Sequence, residues 1–178
     1  MTRLKEKFEK ALPDLMKELK LANKMAVPRL EKVIISVGTG SLKDKKKFAT
    51  ITDRLTKITG QKPKQTSAKQ SIATFKLRQG DVSGAMVTLR GARMYDFLDK
   101  LVHVAIPRER DFRGLRSTSV DEMGNLSIGF KEHTIFPETS DEDIKDVFPF
   151  GVTIVTTAHS KKDALALFAV LGIPFKKN

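Results

Sequence analysis

The sequence contains no cysteine among its 178 residues. Disulfides and thiolate zinc sites are therefore excluded, and the absence fits a reducing compartment. Long apolar runs are missing too, since stretches such as residues 33–38 are far too short to cross a bilayer. The first fifteen residues carry charges where a secretion signal would need an apolar stretch. We therefore expect a soluble, cytoplasmic protein, and its length suits a single domain over residues 1–178.

Acidic residues are few relative to basic ones. There are 21 Asp and Glu against 33 Lys and Arg, which gives a formal net charge of +12 and a sequence pI near 9.9. Such a surplus favours polyanionic partners, and nucleic acid is the first expectation at this pI. Acidic proteins and membrane surfaces are the other partners that charge alone would allow.

Apolar residues follow a helical spacing in some segments and a two-residue alternation in others. Pro13 must either begin a second helix or kink the first, while Ser160 and Gly172 are candidate caps of the last helix. Helices mixed with mostly antiparallel strands predict a two-layer α+β fold with helices packed on one face of the sheet. The predicted helices cover residues 2–21, 44–59, 94–105 and 160–172; the predicted strands cover 30–38, 73–78, 85–90, two segments within 117–131, and 152–158.

Positive charge is concentrated between residues 57 and 93, where eight basic residues stand against Asp81 alone. Like charges on adjoining strands repel, so a hairpin in this segment favours a covering anion; a solvated face that serves solubility is the alternative. Hydroxyl and guanidinium groups on a flat sheet suit phosphate and 2′-hydroxyl contacts, which favours RNA over DNA. One face of the predicted hairpin would carry Thr74, Lys76, Arg78, Thr88 and Arg90.

The exit from this hairpin is also suited to an anion. Gly91 permits a sharp turn after the second strand, and Arg93 follows at the start of the next helix. The positive end of a helix attracts anions, so Arg93 extends the predicted basic face.

A second basic segment, residues 106–117, holds four arginines within nine residues. Arginines interleaved with Phe112 could stack bases and clamp phosphates. Alternatively, Glu109 and Asp111 could pair locally with the arginines while Phe112 fills the core. The sequence leaves both interpretations open. The four arginines are Arg108, Arg110, Arg113 and Arg116.

A contrasting acidic cluster lies within residues 137–146. Its spacing does not match a calcium-binding loop, and we predict no metal site. An acidic first turn of a helix or a contact for a basic partner is favoured instead. The carboxylates are Glu138, Asp141, Glu142, Asp143 and Asp146.

Enzyme motifs are absent. His103, His133 and His159 form no metal-binding pair by spacing, no nucleophile-elbow motif occurs, and residues 38–46 lack the spacing of a phosphate-binding loop. We therefore predict no catalytic residue and no cofactor. A phosphate-ester enzyme using the basic face remains as an alternative, because catalytic residues can come from distant segments.

Six segments resemble the universal family of large-subunit ribosomal proteins that is fifth in the conventional numbering and carries 5S ribosomal RNA. Several of these segments are long and specific, and together they span residues 27–158. The last helix and the segment LGIPF extend the resemblance towards the C-terminus. The segments are VPRLEKVIISVGTG, TGQKPKQTSAKQSIATFKLRQG, VTLRGARMYDFLDKL, IPRERDFRGL, MGNLSIGFKEHTIFPE and VTIVTTA.

The resemblance implies a structural, ribosome-bound role in the central protuberance. It implies that one sheet face binds 5S rRNA, that a loop touches the elbow of the P-site tRNA, and that another surface bridges to a basic protein of the small-subunit head. Large-subunit rRNA and other 5S rRNA-binding proteins of that subunit are implied neighbours. An RNA chaperone or RNA-binding module outside the ribosome is the alternative.

Carried onto this sequence, the resemblance and the basic face together assign two groups of residues, and the expected basic charge of the head protein leads us to predict a third. The predicted rRNA-binding residues are Ser36, Gln61, Lys62, Lys64, Lys69, Thr74, Lys76, Thr88, Arg90 and Arg93. The predicted tRNA-contacting loop contributes Arg78, Gln79, Gly80, Asp81 and Gly84. The predicted intersubunit bridge consists of Arg110, Arg113, Glu138, Asp141, Glu142 and Asp143.

Some positions depart from the pattern of the family. Ser36 replaces the usual Asn, residues 81–84 read DVSG where a proline is customary, and VDEMGNL replaces a segment that resembles FDGRGNY. Near the last strand, PFGVTI replaces a pattern that contains Arg and Asp. These departures indicate a divergent member of the family.

Overall fold

A computed structural model of the protein describes residues 3–39, 45–110, 112–139 and 147–176. Its helices and strands alternate irregularly along the chain, as expected for an α+β fold. Apart from the single turn Ile106–Arg108, the α-helices within these ranges are α1 (Arg3–Glu18), α2 (Lys45–Thr59), α3 (Gly91–Lys100) and α4 (Lys161–Leu171). The five strands are β1 (Leu30–Gly38), β2 (Lys64–Ser67), β3 (Val82–Leu89), β4 (Leu126–Phe130) and β5 (Phe150–Thr156).

The five strands form one sheet in the order β2-β3-β1-β5-β4. Strands β2 and β3 are antiparallel, with Lys64 opposite Met86 and Thr66 opposite Gly84. Residues of β5 alternate between buried and half-buried positions, as in a strand with one face against a core. The predicted α+β fold class is confirmed by an antiparallel five-stranded sheet with packed helices.

Proline, serine and glycine residues shape three of the helices. Helix α1 is a single helix with Pro13 inside it, rather than two helices. A π-helical turn, Leu101–Ala105, follows α3 and leads to Pro107, which has no N–H group to donate to the preceding turn. In α4, the Ser160 hydroxyl accepts a hydrogen bond from the Asp163 N–H at 3.2 Å, and Gly172 ends the helix with φ of 80°, which confirms both predicted caps.

Contacts divide the described chain into two units. The first unit contains described residues of 3–33, 89–128 and 153–176, and the second contains those of 34–88 and 129–152. In the first unit, α1 packs against α3 and α4. In the second unit, α2 packs against the short helical turn Pro137–Thr139.

A tight turn in the first unit depends on Gly124. Hydrogen bonds from the backbone N–H (2.6 Å) and side-chain amide (3.0 Å) of Asn125 hold the pKa of the Asp121 carboxyl below its usual value. Gly124 has φ of +80°, and a Cβ added there would lie 2.7 Å from Ala158 Cβ and 3.1 Å from Ala164 Cβ. Only glycine fits this turn against the start of α4.

A buried polar pair lies in the second unit. Arg54 on α2 is 5% exposed and His133 is fully buried, with 3.1 Å between Arg54 Nη1 and His133 Nε2. The His133 ring stacks on Phe148 with 4.2 Å between centroids, and its backbone O accepts a hydrogen bond from the Thr139 hydroxyl at 3.0 Å. Paired and stacked in this way, the two side chains join α2 to the segment after β4.

The strand predicted over residues 73–78 is wrong. Ala73–Phe75 form a 3-10 turn, and Lys76 adopts a left-handed conformation with φ of 52°. The apolar alternation that suggested a strand has no core to face, because Ala73 and Phe75 are exposed. The antiparallel neighbour of β3 is instead β2, so Thr74, Lys76 and Arg78 do not lie on a sheet face.

Only one of the two strands predicted within residues 117–131 is present among the described residues. Strand β4 is there, but Ser117–Ser119 form a 3-10 turn, and Val120 makes an isolated antiparallel bridge to Leu126. The first arm pairs only at Val120, because the residues immediately before it form a 3-10 turn instead of an extended strand.

Replacement of Gly124 by alanine is expected to destabilise the protein by about 2 to 4 kcal/mol, since it adds left-handed strain to an overlap with two methyl groups. Gly60→Ala is the matched control: Gly60 also has positive φ (+66°), but nothing lies within 4 Å of an added Cβ. The control is expected to lose only about 1 to 2 kcal/mol. Urea unfolding measures both free energies, and equal losses would contradict the close packing at Gly124.

Candidate RNA interface

One side of strand β3 is buried and the other faces outward within the second unit. Ala85 and Val87 are buried, whereas Met86 and Thr88 are half-buried. The register places the exposed Lys64 directly opposite Met86, so its side chain projects to the same face as Met86 and Thr88. This face therefore presents a hydroxyl, a thioether and an ammonium group side by side.

Gln61 is held beside Thr88. Its side-chain Nε2 donates to the backbone O of Thr88 at 3.4 Å, and its backbone N–H donates to Thr59 Oγ1 at 3.3 Å. The Thr59 hydroxyl donates to the backbone O of Leu55 at 2.7 Å, which fastens the turn to the end of α2. Two residues that the resemblance assigns to rRNA contact, Gln61 and Thr88, are thus brought together.

Three other predicted rRNA-binding residues of the second unit are exposed but belong to different elements. Ser36 is on β1, where it follows the buried Ile35 and precedes the buried Val37. Lys62 lies in the turn between α2 and β2, and Lys69 lies shortly after β2. Their ammonium and hydroxyl groups are accessible to a large ligand.

Arg90 belongs to the first unit and follows β3. Its side chain is 62% exposed, and its Nη1 lies 3.9 Å from Glu31 Oε1. The same carboxylate oxygen is 3.5 Å from Lys32 Nζ, so one acid faces two cations. Gly91 turns the chain with φ of +59°, and the exposed Arg93 lies in the first turn of α3, as predicted. Together, Glu31, Lys32 and Arg90 carry a net positive charge.

The β2–β3 loop, residues 68–81, is closed by paired backbone hydrogen bonds. At its base, the Ala68 N–H donates to Asp81 O at 2.8 Å, and the Gly80 N–H donates to Ala68 O at 3.0 Å. Further along, Ile72 and Leu77 exchange hydrogen bonds of 2.9 and 3.2 Å. These contacts give the loop a defined backbone.

The tip of this loop exposes apolar side chains among basic ones. Phe75 is 71% exposed and Ile72 is 45% exposed. Lys76, which follows Phe75, is also exposed, as is Arg78. An aromatic ring beside cations suits stacking on a nucleobase with phosphate contacts alongside. Thr74, predicted for rRNA contact, lies in the same exposed tip.

The residues predicted to touch tRNA lie at the base of the loop. The Arg78 N–H donates to Asp81 Oδ2 at 2.8 Å, and the Gln79 N–H donates to the Ser71 hydroxyl at 2.9 Å. Gly80 is exposed with φ of +89°. Gly84 is instead buried within β3, where an added Cβ would lie 2.5 Å from Val37 O.

The arginine segment, residues 106–117, carries its cations on the surface. Phe112 is half-buried, and Asp111 lies outside the described residues. None of the four arginines has an ion-pair partner within 4.0 Å among the described residues. They are Arg108, Arg110, Arg113 and Arg116, and all are exposed.

The acidic cluster is described only at its first residue. Glu138 is exposed in the turn Pro137–Thr139. Among the residues that the structure describes, no group of three His, Asp or Glu side chains is arranged to hold a metal ion. No helix in the described ranges is long and apolar enough to cross a membrane. Asp141, Glu142, Asp143 and Asp146 lie outside the described residues.

Sequence reasoning missed two features of this interface. The two-residue alternation assigns the exposed Phe75 to a core face, although an aromatic residue among Lys69, Lys76 and Arg78 is itself a signal for nucleic-acid stacking. Glu31 lies near Arg90 although the two residues are far apart in the sequence, and no local pattern predicts this contact. The first feature places an exposed aromatic ring beside basic side chains, and the second places an acid beside Arg90.

Comparison with known proteins gives two family matches that together cover most of the chain. Residues 23–78 match the model described as "Ribosomal protein L5". Residues 82–175, more than half of the chain, match the model that describes the C-terminus of the same ribosomal protein family. The boundary between the two matches falls within the base of the β2–β3 loop, immediately before β3.

Curated relatives match along the entire length. The chain is 49% identical to the large ribosomal subunit protein uL5 of Ruminiclostridium cellulolyticum over 180 residues, covering 100% of both chains. It is 47% identical to the protein of the same name from Mycoplasma mycoides subsp. mycoides, covering 99% of each chain. Identity to the Macrococcus caseolyticus protein is 45%, over 99% of this chain and 100% of that one.

These full-length matches assign a structural rather than a catalytic role. They also confirm the family that the sequence motifs predicted, and they place the chain in the ribosome. The chain belongs to the uL5 family of large-subunit ribosomal proteins.

Proposed function

We propose that this large-subunit ribosomal protein attaches 5S rRNA through the outward face of β3 and the residues beside it, with residues 1–178 acting as one RNA-binding domain. The observation that carries the proposal is the contact between Gln61 and Thr88, with Lys64 on the same face. An amide, a hydroxyl and an ammonium group match the sugar and phosphate groups of RNA. Arg90 adds a mostly exposed guanidinium two residues further along the chain.

Binding on this face depends on charge and shape. Each cation that contacts a phosphate releases counterions, so affinity falls with salt in proportion to the number of ionic contacts. The Thr88 hydroxyl and the Gln61 amide are uncharged, and they contribute to recognition that salt does not screen. A preference for 5S rRNA that persists as salt rises is therefore the signature of this face.

The variant Thr88→Ala with Arg90→Ala is expected to weaken 5S rRNA binding by several kcal/mol, because each charge-assisted hydrogen bond that it removes is worth about 1 to 3 kcal/mol. The slope of log affinity against log salt is expected to fall by about 0.7 to 0.9, the share of one phosphate contact. Titration of purified protein with 5S rRNA and with a tRNA, at several salt concentrations, measures both quantities.

A matched control is Lys10→Ala with Thr118→Ala, which removes one cation and one hydroxyl from exposed positions on α1 and the turn Ser117–Ser119. This control is expected to retain the preference for 5S rRNA over tRNA. Equal losses for the two double variants would show that the net charge of +12 alone drives binding, and the face assigned here would be wrong.

We further propose that the β2–β3 loop contacts the P-site tRNA. Arg78, Gln79, Gly80 and Asp81 form its hydrogen-bonded base, and Phe75 is the exposed aromatic group at its tip. A loop with a closed backbone presents this ring with little ordering entropy left to lose on binding. Gly84 supports the loop indirectly: it is buried, and its lack of a side chain lets β3 approach the Val37 backbone closely.

Phe75→Ala is expected to weaken tRNA engagement by about 1 to 3 kcal/mol, the typical value of one base–aromatic stack, while 5S rRNA binding stays intact. The measurement is binding of tRNA to the P site of ribosomes that carry the variant. Met123→Ala is the control, because Met123 is similarly exposed (65%) but belongs to another turn. Parallel losses of 5S rRNA and tRNA binding for Phe75→Ala would contradict a separate role for the loop.

We also propose that the acidic cluster and part of the arginine segment form the bridge to a basic protein of the small-subunit head. Glu138 is exposed at the start of the cluster, and Arg110 and Arg113 are exposed without ion-pair partners among the described residues. Charge complementarity supports the acidic half of this bridge. Asp141, Glu142 and Asp143 complete the proposed set. The remaining arginines are available to large-subunit rRNA and to neighbouring 5S rRNA-binding proteins.

A further inference from the structure

The arginine segment is tied to the last residues of the described chain by a short parallel pairing. Leu115 pairs with Phe175, and the Leu115 N–H donates to Pro174 O at 2.9 Å. The Lys176 N–H donates to Leu115 O at 2.8 Å, so both backbone groups of Leu115 are satisfied by the C-terminal segment, residues 174–176.

The other side of this pairing is rooted in α4. The Ile173 N–H donates to Phe168 O at 3.1 Å, which joins the C-terminal segment to the end of the helix. The ring centroid of Phe175 lies 6.3 Å from that of Phe168, and Phe168 is fully buried. The C-terminal segment therefore extends from a buried part of the first unit.

Gly114 makes the approach possible. Its φ is +94°, and a Cβ added there would lie 2.8 Å from Lys176 N and 3.0 Å from Lys176 Cα. Those contacts are with backbone atoms, which cannot move aside as a flexible side chain can. Glycine at this position therefore serves the pairing with the C-terminal segment as well as the turn.

We propose that the C-terminal segment is a clasp that holds the arginine segment in its binding conformation. Arg116 directly follows the paired Leu115, Arg113 is separated from it by Gly114, and both arginines are exposed. A backbone fixed at Leu115 limits the directions in which the two guanidinium groups can project. Less conformational freedom is then lost when a partner binds. Gly114 and the C-terminal segment are thus positioning residues for Arg113, a role that rests on the bridge proposed above.

The test removes one hydrogen bond without altering the arginine segment. Lys176→Pro deletes the N–H that donates to Leu115 O, while Lys176→Ala removes the same charge and keeps the N–H. Hydrogen exchange in the isolated protein is expected to show the Leu115 amide exchanging at least about tenfold faster in Lys176→Pro than in Lys176→Ala. Equal exchange rates in the two variants would overturn the clasp.

A second pair of variants tests the clasp at Gly114, on the arginine segment. Gly114→Ala introduces a Cβ against the Lys176 backbone, whereas Gly60→Ala introduces a Cβ at another positive-φ position that faces open space. Faster exchange of the Leu115 amide is expected in the first variant and not in the second. The same result in both would mean that the change at Gly114 acts by general destabilisation and would count against the clasp.

Function is measured in large subunits reconstituted with each variant and joined to small subunits at limiting Mg²⁺. Arg110→Ala with Arg113→Ala tests the bridge itself, and Lys176→Pro tests its positioning. Reduced joining in both, with normal joining in Lys176→Ala, supports the clasp. Reduced joining in the arginine variant alone would overturn it. If the arginine variant joins normally, the proposed bridge fails instead, and exchange at Leu115 alone decides the clasp.

Discussion

The two-residue period of strand β3 is the constraint on which the interface depends. Thr88 faces outward only because Val87 and Leu89, on either side of it, are fixed in the core. A register slip of one residue would bury the hydroxyl and expose two apolar side chains. Gly84 protects this register, since a side chain there would collide with Val37 O and push β3 away from β1. Core packing therefore sets which groups an RNA can contact.

Where local chemistry decides the structure, the sequence was sufficient. The outward position of Thr88 follows from the alternation in β3, and the limits of α4 follow from Ser160 and Gly172. The β2–β3 loop shows why the same alternation misled over residues 73–78. The pattern there reports neither burial nor sheet pairing, because Phe75 is exposed and the loop closes on itself through Ile72 and Leu77. Alternation predicts a strand only when a core exists for one face to cover.

Contacts between residues that are distant in the sequence could not be predicted from local patterns. Gln61 meets Thr88, and Leu115 meets Phe175, across separations that turn geometry and helix packing determine together. Such pairs leave no periodic signal in a single sequence. The motifs that identify the family include Gln61 and Thr88 as separate positions, and the fold brings the two into contact.

The pair of Arg90 and Glu31 limits how strongly this part of a protein with net charge +12 attracts a polyanion. Glu31 and Arg90 are 44% and 62% exposed and 3.9 Å apart, so water and salt screen their interaction to roughly 1 kcal/mol or less. A phosphate that contacts Arg90 must replace the Glu31 carboxylate. Because that ion pair is weak, a phosphate in good geometry loses little free energy by replacing it, whereas one in poor geometry gains little. The acid therefore lowers what any polyanion gains by contacting Arg90. Under the function proposed above, selectivity depends on the uncharged groups of β3, and the cations supply attraction.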